Sequence, residues 1–391
     1  MRQALDSVAE LLERNGKRVS DLEFPDFAER VLQEASLHES VNPTSLLNHV
    51  FSEEYTHDEK KLHSSSNVIP LISTDHYQVM AHLWMDDFAD LHSHDWSGAF
   101  QVVCGDAIHF EYSFIKSKAI SKLLSIGSLE FTSSKRITRG DIVKVHPGLR
   151  MVHGVCHLPR PSLTISVRRR CDYTQPFNIY KDVALATNAT SQEVRNYLKI
   201  LNAYKAIDFN KYLEKLKYIL KKLDIDLTYI LLKKIREYNH VPENLYTEII
   251  HDWLDGETLR NAFIPSLLEQ NRQPLFYSRW KLIHDRSLRE FMAFLFLSKD
   301  RETMLKSIQE TKGYIAEECI LDWLEKINEL LGIEHRPFLV KAAKSLFILE
   351  GDPKKTQFKL IGNAADSRKE SSLTSILELL IRSPFLSVLF K

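Results

Sequence analysis

The stretch Leu91–His92–Ser93–His94–Asp95–Trp96–Ser97–Gly98 decides how this chain is read. Two histidines stand one residue apart, so on an extended strand they point to the same side. A strand-like segment, Tyr77 to Met85, runs ahead of them. Another, Ala99 to Cys104, follows and closes at Gly105–Asp106. Further along, Gly140–Asp141–Ile142–Val143–Lys144–Val145–His146–Pro147–Gly148–Leu149–Arg150–Met151–Val152–His153 carries a third histidine in a second strand-like setting. Alone, His92-x-His94 reads first as a pair of surface or hydrogen-bonded histidines. With the second segment, His92, His94 and His153 become candidate ligands of one metal ion. Neutral imidazole suits iron, copper, nickel and zinc.

Outward from the motif, Val68 to Tyr173 is a series of short β-rich runs separated by turn residues. Strands are predicted at 68–73, 76–85, 99–104, 107–115, 128–132, 141–145, 150–156 and 162–169, enough for a small jelly-roll barrel. Before them the pattern is helical. Leu5, Val8, Leu11 and Leu12 form an apolar stripe stopped at Asn15–Gly16, Asp26 can cap a helix carrying Phe27, Val31 and Leu32, and Asn42–Pro43 reads as an N-cap with proline behind it. Lys60 to Asn67 is a polar linker. From 176 onward the period is helical again. Leu213, Leu216, Leu220, Leu223, Leu227 and Ile230 alternate three- and four-residue steps, Thr190-x-x-Glu193 reads as a capping box, and Pro242–Glu243 opens a helix ended by Gly256. Ser287 to Leu297 is nearly all apolar and belongs at the centre of the helical part, whereas Asn363 to Ser372 is polar and charged. The expected fold is α+β: an N-terminal helical segment at 1–60, a β-barrel at 61–175 and a large all-α domain at 176–391.

Composition narrows the function. The chain has 391 residues, with 52 basic and 52 acidic side chains and a net charge of zero. That balance argues against nucleic acid or an anionic membrane as partner. The N-terminus has no apolar core of a signal peptide, and the longest apolar run, Phe291 to Leu297, is too short to span a bilayer. Cys104, Cys156, Cys171 and Cys319 lack metal-type spacing and read as reduced thiols of a cytoplasmic protein.

The two histidine segments resemble the cupin family. Its first motif is Gly…His-x-His, a Glu three or four residues on, then Gly; its second is Gly, a short spacer, Pro-x-Gly and His. Here the first runs from His92-x-His94 to Gly105, and the second is Gly140, Pro147–Gly148 and His153. The Glu position falls at Gly98 or Ala99, so the usual carboxylate ligand is missing. Cupins of the thiol dioxygenase group, similar to cysteine dioxygenase, also lack it and use three histidines. Ser97–Gly98–Ala99–Phe100–Gln101–Val102 is similar to the continuation of their first motif, and they too begin with helices. The resemblance covers residues 70–175. It implies Fe(II) held by His92, His94 and His153, with a small-molecule substrate and dioxygen as partners.

The run Ser162 to Arg170 alternates, with Leu163, Ile165 and Val167 on one face and Thr164, Ser166, Arg168 and Arg170 on the other. In the thiol dioxygenases the corresponding strand points Ser-x-His-x-Tyr at the metal; here the positions read Thr164-x-Ser166-x-Arg168. The family's His and Tyr are absent, and its cross-linking cysteine falls at Ala99, so cysteine need not be the substrate. An inward Arg168 would bind a carboxylate or phosphate; outward, it is a basic strand end. Trp96 either walls the site or packs the barrel. His157 shares parity with His153 and is a candidate for orienting or replacing a ligand. Two other readings compete with the oxygenase. One is an isomerase or lyase using zinc, nickel or manganese. The other is a non-catalytic sensor whose helical domain contacts a partner, and that domain could equally form a homodimer.

Overall fold

The alternation in Ser162–Arg170 makes that segment the middle of a sheet: its two faces are both covered, but by different things. Leu163, Ile165 and Val167 are fully buried against N-terminal helices, and Thr164 and Ser166 are buried facing the interior. The computed structural model describes residues 1–52, 68–86, 88–237, 243–253, 257–326, 337–348, 383 and 385–390. The expected linker at 60–67, the polar stretch at 363–372, and the helix boundaries at Pro242 and Gly256 lie outside the described residues.

Eleven strands occur among the described residues: β1 (Val68–Ser73), β2 (Gln78–Trp84), β3 (Ala89–His92), β4 (Trp96–Cys104), β5 (Asp106–Ala119), β6 (Leu124–Thr138), β7 (Ile142–Val145), β8 (Val152–His157), β9 (Ser162–Arg170), β10 (Phe177–Tyr180) and β11 (Val183–Ala186). They form two antiparallel sheets. The first has the order β1-β2-β9-β4-β7. The second runs β10-β11-β6-β5-β8-β3, and β3 returns to β10 through the single pair Asn178↔His92. Between the sheets, Trp96, Phe100, Val102, Val143 and Val145 of the first meet Ala107, Ile137 and Val155 of the second.

Helices cover both outer faces. Helices α1 (Arg2–Asn15), α2 (Phe24–Ala35), α3 (Leu37–Ser40) and α4 (Pro43–Val50) lie on the first sheet, where Val8, Phe24, Val31 and Leu32 meet Ala99, Val103 and Ile165. Asn42 caps α4 as expected, accepting from Ser45 N. Asp26 does not cap α2. That helix begins two residues earlier with Pro25 in its first turn, where a missing N–H costs nothing, and Asp26 instead pairs with Lys144 at 3.0 Å.

Among the described residues the C-terminal helices are α5 (Gln192–Ile207), α6 (Phe209–Leu220), α7 (Ile225–Glu237), α8 (Glu243–Trp253), α9 (Glu257–Trp280), α10 (Arg286–Leu297), α11 (Arg301–Lys312), α12 (Ala316–Glu325) and α13 (Pro337–Ile348). The regular leucine spacing from 213 to 230 is divided between α6 and α7. Ser191 rather than Thr190 caps α5, its hydroxyl accepting from Val194 N at 3.3 Å. α10 is the apolar helix seen in the sequence. Phe291, Phe294, Leu295 and Leu297 share one core with Phe110 and Tyr112 of the second sheet. The Tyr112 hydroxyl donates to Leu297 O at 2.7 Å. Burying each such large apolar side chain contributes about 1.5–3 kcal/mol.

The sheet also extends beyond the expected boundary at 175, because β10 and β11 complete the second sheet. Their residues are mostly buried, with sheet on one side and helix on the other, so the alternation that marks a half-exposed strand is absent. No helix among the described residues is long and apolar enough to cross a membrane.

Where α10 ends against β8, a Cβ added at Gly154 would press on Leu297 Cδ2 and Leu91 Cδ2, so the buried Leu297 side chain would have to shift. Gly154→Ala should therefore lower stability by about 1–3 kcal/mol, read from the denaturant midpoint at unchanged slope. Equal midpoints would contradict this packing.

Candidate metal centre

β3 ends at His92, and the next residue fixes the direction of the chain. Ser93 N donates to Phe177 O at 2.8 Å, and Ser93 Oγ accepts from Phe177 N at 3.1 Å. His94 then makes an isolated parallel bridge with Pro147, and Gly148 N donates to His94 O at 2.7 Å. The Pro147–Gly148 turn of the second segment thus holds the second histidine of the first. Gly148 has φ +72, a left-handed conformation that glycine adopts without strain. His153 on β8 pairs directly with His92 on β3. Two strands and one bridge bring the three predicted histidines together, with ligand atoms all within 4.8 Å of one another.

Hydrogen bonds decide which ring nitrogens face inward. His92 Nδ1 donates to Asp90 O at 2.7 Å, which leaves Nε2 free. His153 Nδ1 shares a proton with His109 Nε2 at 3.0 Å, again leaving Nε2. His94 Nε2 lies 2.8 Å from His153 Nε2. Two nitrogens bound to one ion at about 2.1 Å and at right angles would be about 3 Å apart. Burial pushes the pKa of His92 below its ordinary value and those of His94 and His153 well below it. The three rings are held neutral, as metal ligation requires. The donor set and the orientation of its rings both fit a divalent transition metal.

The absent carboxylate also has a structural reason. A Cβ at Gly98 would collide with the backbone of Val167 and Arg168, and Ala99 points into the core shared with the N-terminal helices. Neither position could present a Glu to the three histidines.

Beside them lies a cavity of about 90 Å³ with a mainly apolar wall. Trp96, Thr164, Ser166 and His157 all line it. Arg168 does not line the cavity but stands next to it. Its guanidinium donates from NH2 to His82 Nε2 at 2.9 Å, lies 5.2 Å from the Trp96 ring centre, and keeps a buried Nε with no hydrogen-bond acceptor. Burial lowers its pKa to about 10, partly offset by Asp95. His82 and Trp84, also on the wall, belong to one aromatic stack with His157: 5.7 Å from His82 to Trp84 and 4.6 Å from Trp84 to His157. Trp84 Nε1 donates to Thr164 Oγ1 at 3.1 Å. Neither His82 nor His109 belongs to the two histidine motifs of the sequence. Cross-strand register brings them to the site: His82 pairs with Thr164 across the sheet, and His109 stands diagonal to His153.

No family model matches the chain, and no curated protein matches it. Solved structures do match in part. KdgF from Halomonas is 15% identical, covering 28% of this chain and 86% of its own, with a TM-score of 0.20. The DMSP lyase DddQ from Ruegeria pomeroyi is 16% identical over 38% of this chain and 78% of its own, at 0.23. Hydroquinone 1,2-dioxygenase from Sphingomonas is 11% identical over 32% and 77%, also at 0.23. Overlaps of this size decide neither the fold nor the activity of this chain.

The buried imidazoles make stability depend on pH. Unfolded, a histidine titrates near 6.5, whereas burial pushes His109 and His157 down to about 3. The folded value lies below the unfolded one, so this contribution is fully present above pH 6.5 and is lost as pH falls toward 3. Each group should cost about 1.4 kcal/mol per pH unit inside that window. Urea midpoints of metal-free protein between pH 7 and pH 4.5 should show the loss, and His157→Phe should make it shallower. Parallel profiles for wild type and variant would contradict the assignment.

Proposed function

We propose that this chain is a mononuclear iron(II)-dependent oxygenase of the cupin type, acting on a small acidic or thiol-containing metabolite. The observation that carries the reading is the convergence of three neutral Nε2 atoms beside a small, mainly apolar cavity with a guanidinium at its edge. His92, His94 and His153 would hold the ion on one face, the arrangement of the facial-triad oxygenases with histidine in place of the carboxylate. Iron bound there would supply redox chemistry toward dioxygen and Lewis acidity toward a donor atom of the substrate. An all-neutral ligand set leaves the ionic charge uncompensated and so favours an anionic substrate donor.

The other residues have separate tasks. Arg168 stands behind the wall, fixed by His82 and Trp96, and its charge would favour an acidic substrate through His82 rather than by direct contact. Ser166 and Thr164 place hydroxyls on the same wall. Trp96, Phe100 and Val155 keep water out. One observation favours a second reading, a zinc, nickel or manganese lyase or isomerase. His157 is a buried neutral imidazole on the cavity wall with no partner on Nδ1, and elimination or isomerisation needs such a proton acceptor.

Metal analysis of purified protein, then anaerobic Fe(II) titration and an oxygen electrode with amino acids, thiols and carboxylic acids, tests the proposal. One iron per chain and substrate-dependent uptake are expected. His92→Ala and His153→Ala should lose both. Arg168→Leu should keep the metal and raise KM at least tenfold. Stoichiometric zinc that iron cannot replace, with turnover in the absence of oxygen, would move the assignment to the lyase.

A further inference from the structure

Where β2, β8 and the start of α10 meet, nearly every buried charge has an opposite number. Asp106 pairs with Arg136 at 2.6 Å and Arg286 at 2.5 Å. Glu290 pairs with Lys312 at 2.5 Å and Arg136 at 3.5 Å. Asp285 caps α10 by accepting from Leu288 N at 2.7 Å and faces Lys326 at 3.4 Å. Asp86 faces Arg160 at 2.7 Å. Each described acid near this helix start is therefore committed.

Arg289 is the exception. It is 4% exposed, one turn into α10, and has no hydrogen bond or salt bridge among the described residues; Asp86, already paired with Arg160, is the described carboxylate whose charge reaches it. Its guanidinium lies 4.3 Å from the ring centre of Trp280. Arg160 reaches the same place and donates to the carbonyls of Trp280 at 2.9 Å and Lys281 at 3.0 Å. Two guanidinium groups thus share one carboxylate, Asp86, and among the described residues one buried positive charge is left without an anion of its own. Such a charge is strongly disfavoured unless it is paired. Trp280, 1% exposed, has an Nε1–H with no acceptor, and Arg289 Nε is likewise orphaned. The missing component common to these groups is a negatively charged acceptor.

We infer that Arg289, Trp280 and Arg160 form a binding site for a small oxyanion, a carboxylate or phosphate group, between α10 and the ends of β2 and β8. The guanidinium and the indole N–H are its donors, and Arg160, held on the carbonyls of Trp280 and Lys281, adds a second positive charge. This site does not depend on the metal centre.

The full-length chain is titrated with sodium phosphate, sodium acetate or sodium chloride at equal ionic strength, following thermal unfolding and tryptophan emission. Phosphate or acetate should raise Tm saturably by a few degrees and shift the emission, and chloride should do neither; whichever oxyanion acts first identifies the class. Arg289→Met keeps the stacking volume and removes the charge. It should unfold at a higher temperature than wild type in chloride and lose the oxyanion response, with affinity down at least tenfold. Trp280→Phe should keep the fold and weaken binding several-fold. His92→Ala should respond like wild type, which separates this site from the metal reading. Absence of a saturable response in wild type, or an equal response in Arg289→Met, would overturn the inference. If Arg289→Met does not fold, unchanged affinity in Trp280→Phe overturns it instead.

Discussion

Two imidazole nitrogens 2.8 Å apart in a buried space, His94 Nε2 and His153 Nε2, set the terms for the rest of this structure. Between them they can hold one proton or one shared ion. Around them stand His92, His109, His82 and His157, each a polar ring that burial penalises unless its nitrogens are engaged. The fold meets that demand with backbone as much as with side chains. Asp90 O takes the proton of His92, His109 takes the far nitrogen of His153, and the Pro147–Gly148 turn fixes the main chain of His94.

Such a centre needs stiff walls, and helices supply them from both sides. α1 to α4 press on β4 and β9, the strands that carry Trp96, Phe100, Thr164 and Ser166. α9 and α10 press on β3, β5 and β8, the strands that carry His92, His109 and His153. Tyr277 of α9 donates toward Phe88 O at 3.0 Å and Asp90 Oδ1 at 3.1 Å. The helical region thereby braces the segment that ends in a candidate ligand.

Much of this was legible in the residues. Same-face spacing identified His92 and His94, and strict alternation in Ser162–Arg170 put Thr164, Ser166 and Arg168 on one face without saying which way it turned; Thr164 and Ser166 line the cavity, and Arg168 stands next to it. What was hidden has a common physical origin. β10 and β11 are covered on both faces, so no alternation marks them. β3 is only four residues long and owes its form to its neighbours. The helix start at Phe24 depended on proline preference rather than on the acidic residue beside it. The roles of His82 and His109 follow from cross-strand register, which a single sequence does not display. The missing Glu was visible, but its reason, the close approach of Val167 to Gly98, required the fold.

The second sheet returns on itself through one residue pair, Asn178 with His92. That makes His92 a fastener as well as a candidate ligand. Strands joined by a long ladder, such as β5 and β6, open only when many bonds break together, but a seam of one ladder pair and the two Ser93–Phe177 hydrogen bonds can open with far fewer. Amide protons of Phe177 and Asn178 should therefore exchange with solvent sooner than those of β5. Any ion that immobilises the His92 ring would slow that exchange, so occupancy of the centre would be written into the dynamics of the seam.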